Sequence, residues 1–207
     1  MCGRYLIDEE AFDLQEIIAA AEKNIQTKSA GTTLPAEHGF KSGEIFPGCI
    51  APVIDANNET TFMLWGFPIL MAGKRPHVNA RSETAAESRT FSEAMAYRRC
   101  LVPASGYYEW KSLGKKHKEK YEFRLPDGTS MYMAGIYSAD GKYAILTRDA
   151  APAVAEIHDR MPVILPKSLG EVWLYESPDV IREALTDLCL QHIPKNNESS
   201  QMSLFHL

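Results

Sequence analysis

Apolar positions along this chain recur mostly with the two-residue period of strands, and only a few stretches carry the longer period of helices. Phe12, Ile17, Ile18 and Ala21 fall at roughly helical spacing within Asp8–Asn24, and Asp8, Glu9 and Glu10 suit the positive end of a helix there. Before it, Gly3–Leu6 reads as a short strand. Thr27–Gly48 is polar, contains glycine and shows neither period, which predicts a long surface connection. Two apolar, β-branched runs, Cys49–Ile54 and Thr60–Trp65, flank Asp55-Ala56-Asn57-Asn58 and predict a hairpin. Gly66–Val78 is a proline-bearing loop. A helix capped by Ser92 is predicted over Ser92–Tyr97.

Strands then follow at short intervals: Cys100–Ala104, Gly106–Lys111, Lys120–Arg124, Ser130–Ser138 and Tyr143–Arg148. Pro126-Asp127-Gly128 and Asp140-Gly141 supply turns, and the lysine-rich Lys111–Lys120 reads as a solvated hairpin tip. Ala151–Ile157 predicts a short helix and Pro162–Leu165 a strand. Ser168 with Glu171 has the spacing of a capping box, and Ser177-Pro178 predicts the start of a last helix running to about Leu190. From Pro194 the chain is polar and is expected to fray. Many strands threaded with few helices, without an internal repeat or low-complexity linker, predict an α+β fold. The expectation is a single domain over residues 1–207, built on a curved, partly closed, barrel-like β-sheet flanked by helices.

Composition narrows the class. At 207 residues, with 45% hydrophobic and 24% charged positions, the chain is expected to bury a substantial core as a soluble protein. Its longest apolar runs, such as Ile50–Ile54 and Met161–Leu165, are too short to span a bilayer. Charge at Arg4 and Asp8 leaves no room for a signal-peptide core, so a cytoplasmic monomer without membrane contact is expected. Four cysteines show no CxxC spacing and no pairing with histidine, so neither a metal site nor a cofactor is expected. Cys49, Cys100 and Cys189 lie in apolar surroundings and are expected as reduced core residues. A net charge of −5 argues against a protein that coats nucleic acid nonspecifically. It leaves room for a local basic groove, and Arg81, Arg89, Arg98 and Arg99 cluster in one stretch.

The chemistry centres on Cys2, which follows the initiator Met and precedes Gly3-Arg4. Methionine is normally excised before a small side chain, which would make Cys2 an N-terminal 1,2-aminothiol. Its amine titrates near ~8 and its thiol near ~8.5, so both are usable nucleophiles at physiological pH. An aldehyde can form an imine with such an amine, and the thiol can close that imine into a thiazolidine. An internal cysteine, with its nitrogen in an amide, cannot do this.

Three further segments place polar residues in strand-like context: Val78-Asn79-Ala80-Arg81-Ser82-Glu83-Thr84, Gly106-Tyr107-Tyr108-Glu109-Trp110 and Ile157-His158-Asp159-Arg160-Met161-Pro162. With Met1-Cys2-Gly3-Arg4 they resemble the SOS response-associated peptidase family, whose members link covalently to abasic sites in single-stranded DNA. The resemblance runs from Cys2 to Leu165 in the family's order. It implies Cys2, Asn79, Glu109 and His158 as the catalytic set, with Arg4, Arg81 and Arg89 gripping DNA phosphates and Thr147 contacting the backbone. Glu109 would exchange protons with the Cys2 amine, His158 would assist sugar-ring opening and crosslink reversal, and Asn79 would stand beside the sugar.

Residue type alone leaves alternatives open. Glu109 could be an outward-facing strand residue, although its aromatic neighbours Tyr108 and Trp110 favour a raised pKa. His158 could be a hydrogen-bonded loop histidine, Asn79 a turn residue, and Arg81 or Arg89 a surface partner of Glu83 or Glu87. The chain departs from the family in Glu44–Gly48, a segment where many relatives carry an Asn and Glu44 adds a negative charge, and in Phe67–Gly73, a loop where relatives can carry aromatic wedges and this chain offers Ile69, Leu70 and Met71. A carboxylate facing DNA at position 44 would weaken phosphate binding.

The implied function is capture of abasic sites as a thiazolidine DNA–protein crosslink that shields the lesion. Autoprocessing peptidase and abasic-site lyase side activities are chemically compatible with it. The competing readings are an N-terminal-nucleophile or Cys–His thiol peptidase using Cys2, His158 and Asn79, and a noncatalytic single-stranded DNA-binding module using only the arginines.

Overall fold

The computed structural model describes residues 2–28, 39–69, 75–114, 117–176 and 190–195. In chain order the first elements are β1 (Tyr5–Ile7), α1 (Phe12–Lys28), β2 (Gly43–Ile45), β3 (Ile50–Ile54), β4 (Thr60–Trp65) and β5 (Asn79–Arg81). They are followed by α2 (Ser92–Tyr97), β6 (Arg99–Ala104), β7 (Gly106–Ser112), β8 (Lys118–Arg124), β9 (Met131–Tyr137) and β10 (Lys142–Asp149). The last are α3 (Pro152–Ala155), β11 (Arg160–Pro162), β12 (Ile164–Leu165), α4 (Gly170–Tyr175) and β13 (Gln191–Lys195).

Five strands close on themselves. β10 pairs with β4, β4 with β3, β3 with β6, β6 with β9, and β9 returns to β10. Closure leaves the ring without free edges, and β5, β11 and β12 extend it. The second sheet runs β13-β8-β7-β1-β2, so the N-terminal strand is interior to it. Tyr5 faces Ile45 of β2 on one side and Tyr107 of β7 on the other. On its other side β7 meets β8 closely at Gly106, where a Cβ would lie 2.7 Å from the Phe123 carbonyl oxygen.

Buried aromatics join the two sheets. The hydroxyl of Tyr5 on β1 hydrogen-bonds that of Tyr143 on β10 at 2.7 Å. Trp65 stacks on Tyr143 with ring centroids 6.2 Å apart, and its indole N–H donates to the Val78 carbonyl at 2.8 Å. Tyr5, Trp65 and Tyr143 are almost wholly excluded from solvent. One cluster therefore fixes both the strand after Cys2 and the residue before Asn79.

The hairpin expected from Cys49 to Trp65 forms, with Ile54 opposite Thr60 and the Asp55 carboxylate accepting the amides of Asn57 and Glu59. Other expectations shift. The first helix starts at Phe12, and the supposed connection after it contains β2. Neither proposed serine cap acts as one: Phe91 and Leu169 occupy the cap positions of α2 and α4 without a side-chain bond. The strand expected over Pro162–Leu165 is two short strands. Pro194 and Lys195, expected to fray, pair with Tyr121 and Lys120 in β13, and an outer strand tolerates a proline. Cys49 is exposed, because the turn at Phe46–Cys49 carries it outside the core, while Cys100 is buried. The helix expected from Ser177 to about Leu190 lies outside the described residues except at Leu190, and so do Leu70, Met71 and Cys189.

Tyr5→Phe deletes the hydroxyl partner of buried Tyr143 and is expected to cost about 1–2 kcal/mol of stability. Tyr5→Ala, which also leaves a cavity, is expected to cost about 3–5 kcal/mol. Urea unfolding measures both, and a Tyr5→Phe protein of unchanged midpoint would remove this contact from the account.

Candidate active site

Cys2 sits at the open end of β1, wholly buried in the chain that retains the preceding residue. The strand fixes it from both sides: the Arg4 carbonyl accepts the Tyr108 amide at 2.9 Å and also faces the Cys2 thiol at 3.7 Å. Asn79 begins β5, which runs parallel to β10 with Asn79 opposite Ile145. Its side-chain amide donates to the Cys2 carbonyl at 2.7 Å, and its buried Oδ1 accepts no hydrogen bond from the described residues. The resemblance placed Asn79 beside Cys2, and the structure brings them together.

Glu109 points inward. Strand alternation on β7 sends Tyr108 and Trp110 to the opposite face, where they meet the cations Lys120 and Arg4. The outward-facing alternative is therefore overturned, since only 2% of Glu109 is exposed. Burial raises its pKa, and the charge of His158 partly offsets that rise. Burial likewise pushes the Cys2 thiol up, and the Glu109 charge pushes it further. Tyr107, two residues earlier on the same face, has a buried hydroxyl without a partner among the described residues. Its pKa is raised by burial and then by the charges of Cys2 and Glu109, which places it in the same site.

His158 follows the single turn of α3, and its amide donates to the Val154 carbonyl at 3.0 Å. Its Nε2 lies 3.8 Å from Glu109 Oε2. Two neighbours compete for Nδ1: the Arg160 amide at 3.0 Å and the Asp159 carboxylate at 2.8 Å. Nδ1 can accept from the amide only when unprotonated and can donate to the carboxylate only when protonated. The Asp159 side chain is 86% exposed, so water weakens its claim, whereas the amide is fixed by β11. The neutral ring thus carries its proton on Nε2, toward Glu109.

Arg160 organises this region, and sequence reading gave it no role. Its guanidinium makes a bidentate pair with Glu83, both contacts at 2.8 Å, bonds Asp149 at 2.5 Å and donates to the Thr147 carbonyl at 2.7 Å. Through Glu83 it ties the end of the Asn79-bearing segment to the His158 loop. The bidentate match to a carboxylate is the property that would have marked it.

That pairing also withdraws Glu83 from Arg81 and Arg89. Both arginines are exposed and form no ion pair with any described residue. Arg98 and Arg99, clustered with them in sequence, do not join them: Arg98 pairs with Glu93, and buried Arg99 donates to carbonyls at the ends of α2 and α4. Arg4 is held by Glu44 at 3.0 Å. Thr147 departs from its expected place against DNA: it is fully buried on β10, and its hydroxyl donates to the Ala80 carbonyl at 3.4 Å. Among the described residues no helix is long and apolar enough to cross a membrane.

The raised Glu109 pKa makes stability pH-dependent. The folded state keeps a proton that the unfolded chain loses near pH ~4.3, so stability falls as pH rises from there through the folded value. Glu109→Gln removes that fall. It is expected to be more stable than wild type at pH 7, with the difference shrinking as pH drops below ~4. Denaturant unfolding between pH 4 and 8 reads the effect, and a difference independent of pH would contradict it.

Known proteins resemble the chain along most of its length. The profile of the SOS response associated peptidase (SRAP) family matches residues 1–203. The abasic site processing protein YedK of Escherichia coli is 34% identical over 186 residues, covering 84% of this chain and 79% of that protein. The abasic site processing protein YobE of Bacillus subtilis is 29% identical over 203 residues, covering 89% and 88%. The fold is similar to a crystal structure of a Bacteroides thetaiotaomicron protein, with a TM-score of 0.71, 22% identity and coverage of 95% and 93%.

Proposed function

Because the chain belongs to the SOS response associated peptidase family, we propose that it processes abasic sites in single-stranded DNA by covalent capture at Cys2. The observation that carries the reading is the identity of the group beside the thiol. A buried carboxylate, Glu109, acts on Cys2, and the imidazole of His158 addresses that carboxylate. A Cys–His hydrolase needs the reverse: a cation beside sulfur, lowering the thiol pKa to give a resting thiolate. In the chain that retains the preceding residue, burial and then the Glu109 charge raise the Cys2 thiol, which supports a reaction led by nitrogen.

Removal of the residue before Cys2 turns its amide nitrogen into an amine. Glu109 takes a proton from the ammonium form of that amine, and the free amine adds to the open-chain aldehyde of the abasic sugar to give a carbinolamine. Loss of water gives an imine. The Cys2 sulfur then adds to the imine carbon, its proton passes to nitrogen, and a thiazolidine closes. The net reaction joins aldehyde and aminothiol with release of one water. His158, with its proton on Nε2, protonates the ring oxygen of the closed sugar as it opens, and the same transfer in reverse releases the lesion. The amide of Asn79 holds the Cys2 carbonyl, and hence the direction of the amine. The imine also makes strand cleavage chemically accessible as a side reaction. Arg81 and Arg89 supply charge for phosphates without reading sequence.

Denaturing gels with single-stranded DNA bearing one abasic site test the proposal. A shifted band is expected with abasic DNA and not with intact DNA, lost in Cys2→Ala and labile in Cys2→Ser. A stable crosslink formed equally well by Cys2→Ala would reject capture at Cys2. Glu109→Gln and His158→Ala are each expected to slow single-turnover capture by roughly 10²–10⁴-fold, with His158→Ala also slowing release. Arg81→Ala and Arg89→Ala are expected to weaken DNA binding, each lowering the salt slope by about 0.7. Slopes identical to wild type would remove both as phosphate ligands.

A further inference from the structure

Arg4, on the strand that carries Cys2, differs from Arg81 and Arg89 in already holding an anion. Its Nη1 lies 3.0 Å from Oε2 of Glu44. The other oxygen of the same carboxylate, Oε1, accepts a short hydrogen bond from the Lys120 ammonium. Two cations, Arg4 just before β1 and Lys120 on β8, thus converge on one carboxylate presented by β2. The register produces the convergence: Glu44 pairs with Leu6, beside Arg4, and Lys120 pairs with Trp110, the residue after Glu109.

Both cations are also held by aromatic faces. The Arg4 guanidinium lies 4.2 Å from the Phe46 ring centroid and 5.0 Å from that of Trp110, and the Lys120 ammonium lies 3.8 Å from that of Tyr108. These contacts persist whichever anion lies between the cations, so the pair is preorganised. The cluster is open to solvent, with side-chain exposures of 29% for Arg4, 32% for Glu44 and 16% for Lys120. A carboxylate that offers one oxygen to each of two cations presents the same pattern as the two non-bridging oxygens of a phosphodiester.

We infer that Arg4 and Lys120 form a phosphate seat for the DNA strand, occupied by the Glu44 carboxylate until a backbone phosphate displaces it. The inference rests on the proposed reading that single-stranded DNA is the ligand, and adds Lys120 as a phosphate ligand and Glu44 as an internal competitor. Arg81 and Arg89 are open to any strand, whereas the seat beside Cys2 exchanges one anion for another. Intact DNA therefore gains little from the seat. A strand whose abasic sugar is already held at Cys2 delivers its phosphate locally and displaces Glu44.

The test is fluorescence-anisotropy binding of an intact single-stranded oligonucleotide across a KCl series, with wild type, Glu44→Gln, Lys120→Gln and the double variant. Wild-type crosslinking to abasic DNA is measured alongside. Glu44→Gln is expected to tighten binding about fivefold by freeing both cations. Lys120→Gln in that background is expected to abolish most of the gain and to lower the salt slope by about 0.7. If Glu44→Gln binds no tighter than wild type, or more weakly, Glu44 is a strut that holds Arg4 and the inference is overturned. If Glu44→Gln does not fold, Lys120→Gln alone decides through crosslinking to abasic DNA: a lower yield at limiting DNA that depends less on KCl supports the seat, and the wild-type yield and KCl dependence reject it. A wild-type protein that neither binds nor crosslinks DNA defeats the underlying functional reading instead.

Discussion

The site depends on the N-terminal strand being locked inside a sheet. β1 is only three residues long, yet it pairs on both sides, with β2 and with β7, and its Tyr5 hydroxyl reaches across to Tyr143 of the barrel. Chain termini are usually free to fray. Here, three residues before Tyr5, fraying has been suppressed by packing, so the nitrogen and sulfur of Cys2 have a set position relative to Glu109 and Asn79. The same aromatic cluster that carries stability also sets Val78, and through it Asn79, by the Trp65 indole. Stability and reactivity therefore draw on the same contacts.

The electrostatic design follows from that placement. Burial makes charge costly on the inner face, and it raises both the carboxyl pKa of Glu109 and the thiol pKa of Cys2. That setting suits the proposed order of attack, nitrogen first and sulfur second. Around the rim, Arg160 uses Glu83 and Asp149 to fix the two segments that carry Asn79 and His158. By consuming Glu83 it leaves Arg81 and Arg89 available, so a chain with a net charge of −5 still presents local positive charge. Counting charges would have missed this, because what matters is which acids are already taken.

Much of the architecture was legible because it is written locally. The Cys49–Trp65 hairpin announces itself by two apolar runs and a turn whose Asp55 caps its own loop. The four motifs marked Cys2, Asn79, Glu109 and His158, and the structure does bring them together. What was not legible depends on partners distant in sequence. β2 is three residues in an irregular stretch, visible only because β1 needs a partner. Ser92 and Ser168 have capping chemistry, but the helices start one residue away from each, so neither hydroxyl meets an orphan amide. Arg99 reads as a surface cation and is instead buried against carbonyls. Thr147 lies at the spacing expected for a DNA contact, but a central position on β10 buries it. Glu109 was ambiguous because strand alternation can be phased either way, and only the pairing of β7 with β1 decides the phase.

The central claim is that nitrogen and sulfur of Cys2 are both consumed by one carbon of the abasic sugar. Tandem mass spectrometry of the nuclease-digested crosslink tests this, after treatment with a reagent that requires a primary amine and with a thiol-alkylating reagent. The account predicts that the sugar remnant maps to Cys2 and that neither reagent modifies that residue, whereas uncrosslinked Cys2 accepts both. A remnant on a lysine, or on Cys2 sulfur with the amine still primary, would contradict it.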